Sequence, residues 1–143
     1  MTSMEDADAI PAGLGVVVTR ISSTQHYPSS LNPTLSIQSR GRIGFDAGHF
    51  NLEPGTTVYV VLLKPGRYYF NSLFIGSLST TQFPADNEFE CVADRVFYIG
   101  DVDISLDVNT RRYGIRRPER FRLAQLSYQQ THPRLAANRP LQR

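Results

Sequence analysis

The sequence predicts a mainly β fold, an antiparallel β-sandwich with one helix near its carboxyl terminus. Residues 58–63 form an unbroken apolar run rich in β-branched side chains, which is typical of a strand covered on both faces. From Val96 onward apolar side chains occupy the even positions, and Asp101, Asp103 and Asp107 occupy odd ones, so one face is expected to be buried. About seven short strands with turn signals between them, followed by a helix, indicate a sandwich.

The first half of the chain contains three predicted strands joined by polar loops. Residues 14–21 are mostly apolar and predict the first strand. Residues 34–40 alternate apolar and polar side chains, as a half-buried strand does, and a short strand is predicted within residues 42–50. Residues 22–33 are polar and contain two prolines, which predicts a loop.

The central stretch, residues 57–108, predicts two strand pairs. Lys64-Pro65-Gly66-Arg67 follows the apolar run, and this order of proline and glycine is typical of a type II turn. Residues 68–75 then return as an aromatic-rich strand, so a hairpin is expected. A second pair is predicted across Ala93-Asp94-Arg95, and Gly100 indicates a bulge or bend in its last strand.

A helix is predicted over about residues 118–131. Proline is tolerated in the first helical turn and an acid suits the helix amino terminus, which favours Pro118-Glu119 as its start. Phe121, Ala124 and Tyr128 then share one face of the helix. Pro133 is expected to end it.

Length and composition predict one soluble globular domain. A chain of 143 residues, with 41% apolar and 20% charged side chains, is long enough for a two-layer core and is not typical of disorder. The expected domain spans residues 14–131, between a flexible arm at 1–13 and a flexible basic tail at 132–143. The acidic amino terminus resembles no secretory signal, and no apolar run reaches the ~20 residues of a membrane helix.

The two parts of the chain carry opposite charge. Residues 1–110 have six basic and twelve acidic side chains, whereas residues 111–143 have nine basic and one acidic, which together give the net +2. The candidate binding cluster is Arg111, Arg112, Arg116, Arg117, Arg120 and Arg122. Such a cluster suits phosphates or anionic lipid headgroups. Alternatively the arginines remain solvated, or they pair internally with the acidic sheet, because guanidinium groups match carboxylates well.

Asp101, Asp103, Ser105 and Asp107 are expected to project from one face of one strand. This row is a candidate cation site or a docking strip for an arginine-rich partner, and Asp101 and Asp103 are its candidate residues. The alternative is the solvated face of an exposed strand. A calcium site normally needs loop oxygens that converge from several directions, which a straight strand does not supply.

Catalytic and metal-binding patterns are not apparent in the sequence. Cys91 is the single cysteine, so no intramolecular disulfide forms, and its place in a predicted strand favours a buried apolar role. His26, His49 and His132 are scattered without a second ligand at metal spacing. No serine lies in a nucleophile-elbow motif. We therefore expect no enzyme activity, no metal and no cofactor.

Two segments, LKPGRYYFNSLFIG and FECVADRVFYIGDVDIS, resemble a family of small bacterial domains of unknown function, many of them envelope lipoproteins. Members typically show an "aGxYyl" hairpin followed by a strand with "YiGdi". The matching residues here are Gly66, Tyr68, Phe70, Phe89, Val96, Tyr98, Ile99, Gly100 and Asp101. Asp94-Arg95 stands where the family usually has a glycine. The resemblance implies a prealbumin-like or immunoglobulin-like sandwich, no known activity, and a periplasmic or envelope location.

Together these patterns favour a non-catalytic protein-binding or structural module, whose partner is expected to be another protein. In the alternative, the arginine-rich segment binds an anionic ligand: an acidic protein surface, a lipid headgroup or a nucleic acid. Nucleic acid is the least favoured of these, because the aromatic side chains lie in predicted core strands and not among the arginines. An exposed strand edge also makes a homo-oligomer an option.

Overall fold

The computed structural model describes residues 1–23, 33–41, 46–75, 78–80, 83, 87–107, 109 and 112–143. These residues form twelve strands and two α-helices. In chain order they are β1 (Thr2–Ser3), β2 (Gly15–Ser23), β3 (Thr34–Ser39), β4 (Asp46–Asn51), β5 (Gly55–Leu63), β6 (Gly66–Ile75), β7 (Leu78–Thr80), β8 (Glu88–Cys91), β9 (Val96–Tyr98), β10 (Val102–Asp107), β11 (Arg112–Arg116), α1 (Phe121–Thr131), α2 (Pro133–Asn138) and β12 (Leu141–Gln142). The short strand expected around Ile43 and Phe45 and most of the loop at 22–33 lie outside the described residues.

The strands form two sheets. The first sheet has the order β1-β5-β2-β10-β11, and β9 also lies beside β2 and pairs with β12. The second sheet has the order β4-β3-β6-β7, with β8 also beside β6. The prediction of a mainly β chain with a carboxyl-terminal helix is therefore confirmed.

The first sheet is mixed, so the prediction of purely antiparallel pairing is wrong there. Both β9 and β10 run parallel to β2, and β12 runs parallel to β9. Parallel neighbours need a crossover connection. Between β2 and β9 the chain passes through the second sheet, and this passage supplies the crossover.

Neither expected hairpin is present. β5 belongs to the first sheet and β6 to the second, so they do not pair. Likewise β8 belongs to the second sheet and β9 to the first. Gly66 has φ 152°, far from the value near +80° of a type II turn. The Tyr68 hydroxyl donates to the Lys64 carbonyl at 2.6 Å and closes this corner. Proline and glycine predicted a change of direction correctly, but such a signal does not say which sheet the chain enters next.

The two faces of the first sheet contribute to different cores. Val17 and Ile21 of β2 lie in an inter-sheet core with Leu35, Ile37 and Phe70 of the second sheet. Because side chains alternate along a strand, the two valines that flank Val17 face the opposite side. They join a helix-side core, whose members from β2, α1 and α2 are Val16, Val18, Ala124, Tyr128 and Leu135. The first sheet is thus covered on both faces, as the apolar run at 58–63 predicted.

The terminal segments are packed, which differs from the expected flexible arm and tail. Met4 and Ile10 are buried in the helix-side core, and β1 pairs with β5. Residues 133–138 form α2, and β12 then pairs with β9. Asp6 accepts the Leu135 backbone N–H at 3.0 Å, which ties the arm to the start of α2. The few apolar residues of both segments pack in the same helix-side core. This packing joins distant parts of the chain, so local composition does not predict it.

The packing of the carboxyl-terminal helices is tested by two leucine substitutions. Leu135 is 0% exposed, and Leu126 is 54% exposed on α1. We expect Leu135→Ala to lower the free energy of unfolding in urea by about 3 kcal/mol, because it leaves a cavity in the helix-side core. The matched control Leu126→Ala is expected to change it by less than about 0.5 kcal/mol. Equal, small effects at both positions would show that the tail does not pack as described.

Cys91 lies in the inter-sheet core at 1% exposure, with its thiol directed at the Leu63 carbonyl. Burial raises the pKa of the Cys91 thiol to about 11 from its ordinary value of 9.0. Between these two pH values the unfolded chain releases a proton that the folded chain keeps. The free energy of unfolding is therefore expected to fall as pH rises from 9 to 11, with a slope of at most about 1.4 kcal/mol per pH unit.

This expectation is measured by urea unfolding at several pH values in the wild type and in Cys91→Ala, which lacks the thiol and isolates its contribution from that of the tyrosines. Alkylation of Cys91 by iodoacetamide at pH 8.5 is expected to be slow in the folded protein and fast in urea. Fast alkylation of the folded protein would contradict the buried position.

Candidate functional site

A cluster of charged side chains lies on the helix-facing side of the first sheet, where β9 gives way to β10. We name it the Asp101 cluster: Arg20, Tyr98, Asp101, Asp103 and Arg120. Asp101 is 0% exposed. Arg20 Nη1 donates to its Oδ2 at 2.9 Å, Arg120 Nη1 donates to the same oxygen at 3.2 Å, and the Tyr98 hydroxyl donates to Oδ1 at 2.7 Å. The buried carboxylate is thus paired with positive charge and hydrogen-bonded on both oxygens.

Arg120 joins the two acids of the cluster. Its Nη1 and Nη2 donate to the two carboxylate oxygens of Asp103 at 3.1 and 3.0 Å, a bidentate pair that is among the strongest protein hydrogen bonds. The hydrogen bonds to Asp103 and then to Asp101 raise the pKa of the Arg120 guanidinium. Arg116 contacts Asp103 more loosely, with Nη2 3.5 Å from Oδ2.

Tyr98 links the cluster to the start of α1. Its hydroxyl oxygen accepts the Arg120 backbone N–H at 2.8 Å while its O–H donates to Asp101. Burial raises the pKa of the Tyr98 phenol further above neutral pH. This bond, together with that from the Asp101 N–H to the Pro118 carbonyl, holds residues 118–120 out of the helix. For this reason α1 begins at Phe121 and not at Pro118, where the sequence predicted its start.

Gly100 forms the bulge that the sequence predicted. Tyr98 lies opposite Val18 and Val102 opposite Ile21, so four steps on one strand match three on β2. Gly100 has φ 90°, a left-handed conformation that favours glycine. A Cβ there would lie 2.9 Å from Arg117 Nη2, so a side chain at this position would also require the Arg117 guanidinium to shift.

Side chains donate hydrogen bonds to the backbone carbonyls of the bulge. Arg117 donates through Nε to the Asp101 carbonyl at 3.0 Å and through Nη2 to the Ile99 carbonyl. Thr19 Oγ1 donates to the Gly100 carbonyl at 2.7 Å. The Arg117 guanidinium also lies 4.6 Å from the centre of the Phe70 ring in the second sheet. Arg117 therefore serves the bulge and not a surface patch.

The structure separates the predicted arginine cluster. Arg117 and Arg120 are bound internally, as the alternative interpretation of the sequence expected. Arg116 and Arg122 are exposed. Arg112 lies in β11, and Arg111 lies outside the described residues. The aspartates also do not form the solvated strand face that was one interpretation of the sequence. Asp101 is buried, and Asp103 is largely buried.

Arg20 and Tyr98 were missed as site residues. A signal for Arg20 exists in the sequence, because it is the one charge within the apolar run of the first strand. Such a residue needs a buried or half-buried partner of opposite charge. Tyr98 was noted only as a residue that matches the resembled strand motif, and this gave it no role, since an aromatic residue in a predicted core strand is ordinary.

Other arginines of the basic segment pair with the acidic part of the chain as well. Arg134 binds the Asp8 carboxylate through Nε and Nη2 at 3.0 and 2.9 Å, and these hydrogen bonds hold the pKa of Asp8 below its usual value. Arg139 binds Asp94 at 3.0 Å. Asp94 has φ 61°, a left-handed conformation at the position where the resembled family usually has glycine. Among the described residues, Arg116, Arg120, Arg134 and Arg139 of the basic part thus pair with aspartates of the acidic part.

A groove of about 590 Å³ lies beside the Asp101 cluster. Its charged walls are Arg20, Asp103, Arg116 and Arg120, and Ser22, Thr56 and Ser105 add hydroxyl groups. Leu123 of α1 forms an apolar wall and is 47% exposed. Ser22 and Thr56 bond to each other at 2.8 Å.

Within the described part of the chain, no three histidine, cysteine, aspartate or glutamate side chains converge as metal ligands would. His49 is exposed on β4, and His132 bonds through Nε2 to the Met4 carbonyl at 2.6 Å. His26 lies outside the described residues. Neither helix of the described chain has the length and apolar character that crossing a membrane requires.

No protein-family model matches the chain, and no curated protein matches it. Among solved structures, a leucine-rich repeat protein from Bacteroides thetaiotaomicron VPI-5482 is similar over 67% of this chain, with 14% sequence identity and a TM-score of 0.40. The match spans 14% of that protein's length. Similarity of this extent does not identify a family, so the proposals below depend on the contacts of this chain.

The role of the Asp101 cluster is tested by Asp101→Asn, which keeps the shape of the side chain and removes its charge. Arg20 then loses its ion-pair partner. Because both arginines remain partly exposed, we expect a loss of about 2–3 kcal/mol in the free energy of unfolding, below the ~3–5 kcal/mol of a fully buried pair. The control Asp8→Asn removes an exposed charge and is expected to change stability little. A variant as stable as the wild type would show that the cluster does not hold the fold.

Proposed function

We propose that this chain is a non-catalytic β-sandwich module, of prealbumin-like or immunoglobulin-like type, that binds another protein. The sandwich is supported by the two sheets, which contribute side chains to one inter-sheet core. The resemblance to small bacterial envelope domains points the same way and is the sole support for an envelope location.

The observation that carries the proposal is the saturation of the Asp101 cluster. Asp101 and Asp103 would be the natural general bases beside the groove, but arginines bind both carboxylates. A base that already accepts strong hydrogen bonds from arginine is poorly placed to remove a proton from a substrate. The hydroxyl groups of Ser22 and Thr56 in the groove wall bond to each other. The charged groups thus support shape, which favours binding over catalysis.

A broad basic surface for nucleic acid or a lipid membrane has less support. Arg117, Arg120, Arg134 and Arg139 are each bound to partners within the chain. A phosphate surface would have to compete with these contacts, and its affinity would fall steeply with salt. Retention on heparin at low salt that is lost steeply as the salt concentration rises would support that alternative.

The proposal is tested by capture with the full chain immobilised at increasing concentrations of a cell extract. We expect saturable enrichment of one or a few proteins, which are then purified and bind again in isolation. The control is a matrix without the immobilised chain, which is expected to retain none of these proteins. We also expect no turnover of simple ester, phosphoester, glycoside and peptide substrates by the wild type. A defined turnover, or no saturable partner from any extract, would overturn the proposal.

A further inference from the structure

The charges around the groove do not balance. Among the described side chains, three arginines, Arg20, Arg116 and Arg120, face two aspartates, Asp101 and Asp103. The two aspartates are compensated by Arg20 and Arg120, which lie at 2.9–3.2 Å from their oxygens. One positive charge therefore remains in the wall of the groove.

Arg116 carries this surplus charge. Its Nη2 lies 3.5 Å from Asp103 Oδ2, longer than an ordinary charged hydrogen bond, and its side chain is 81% exposed. Asp103 already has a bidentate partner in Arg120, so Arg116 is not needed to compensate it. The guanidinium of Arg116 can therefore turn to an incoming anion without leaving a buried charge unpaired.

Arg20, in another wall of the groove, has N–H groups that do not bind Asp101. Within the described residues it donates through Nη1 to Asp101, and its buried Nε has no acceptor. Buried donors usually have a partner. An oxygen in the groove that accepted from one of the remaining N–H groups would leave the bond from Nη1 to Asp101 in place. Ser22 and Ser105 place hydroxyl groups in the same walls, although Ser22 already bonds to Thr56 and Ser105 to the Gly114 carbonyl.

We propose that the groove binds a carboxylate-bearing segment of a partner protein, with the carboxylate between Arg116 and Arg20 and a neighbouring apolar side chain against Leu123. This inference rests on the proposed protein-binding function. One surplus charge suits a monoanion, and Asp103 in the wall disfavours a doubly charged phosphate. A volume of about 590 Å³ admits a few side chains of an extended peptide.

The test is a titration of the ¹⁵N-labelled full chain, followed by NMR, with a capped hexapeptide of alternating leucine and glutamate. Its counterpart contains glutamine in place of glutamate. We expect saturable shifts of the Ser22, Ser105 and Gly114 amide signals and of the Arg20 Nε–H signal with the glutamate peptide alone. Arg116→Ala is expected to weaken binding about tenfold, because it removes one charged hydrogen-bonding partner.

Arg122→Ala is the matched control, since Arg122 is an exposed arginine of the same segment that does not line the groove. Its binding is expected to stay within twofold of the wild type. Equal weakening by the two substitutions, equal binding of the glutamine peptide, or stronger binding of inorganic phosphate would overturn the carboxylate site. Shifts confined to a strand edge would overturn it too, yet they would leave the protein-binding proposal standing. Arg116→Gln repeats the measurement if the alanine variant does not give a folded spectrum.

Discussion

The buried carboxylate of Asp101 is the constraint on which the rest of the structure depends. A carboxylate without water is costly unless it is paired and hydrogen-bonded. Its partners come from three separate parts of the chain: Arg20 in β2, Tyr98 at the end of β9 and Arg120 just before α1. The hydrogen bonds to this one carboxylate therefore fix the position of α1 over the first sheet. The helix-side core then closes around Tyr128 and Leu135.

The bulge at Gly100 makes this arrangement compatible with the pattern of apolar residues. Before the bulge, Tyr98 faces the helices and Ile99 faces the second sheet. A regular strand would continue this alternation, so Val102 would face the helices and Asp101 would point into the inter-sheet core. The extra residue exchanges the two faces. Val102 enters the inter-sheet core, and Asp101 meets its arginines on the other side.

The sequence predicted most elements and less of their assembly. Alternation and apolar runs identified the longer strands and α1, because burial on one or both faces leaves a local pattern, but the short strands β1, β7 and β12 and the helix α2 were not predicted. The glycine bulge was predicted for the same reason. Sheet membership at Lys64-Pro65-Gly66 was not, since a turn signal is local and pairing is long-range. Internal pairing of the arginines was one of several open interpretations. It depends on acids 17 to 126 residues away along the chain, and no local pattern shows that these acids lie close in space.

A run of arginines in a sequence is therefore weak evidence for a basic surface. Arg117 and Arg120 are close neighbours of Arg116 along the chain, but the first supports the bulge and the second compensates two acids. Substituting either would disturb the fold, and a loss of binding would then say little about a ligand. Arg116 is different, because Asp103 keeps a bidentate partner without it. Among these three arginines, Arg116 is thus the most informative about function, because the fold needs it least. Compensation of buried charge is the criterion that distinguishes it from its neighbours.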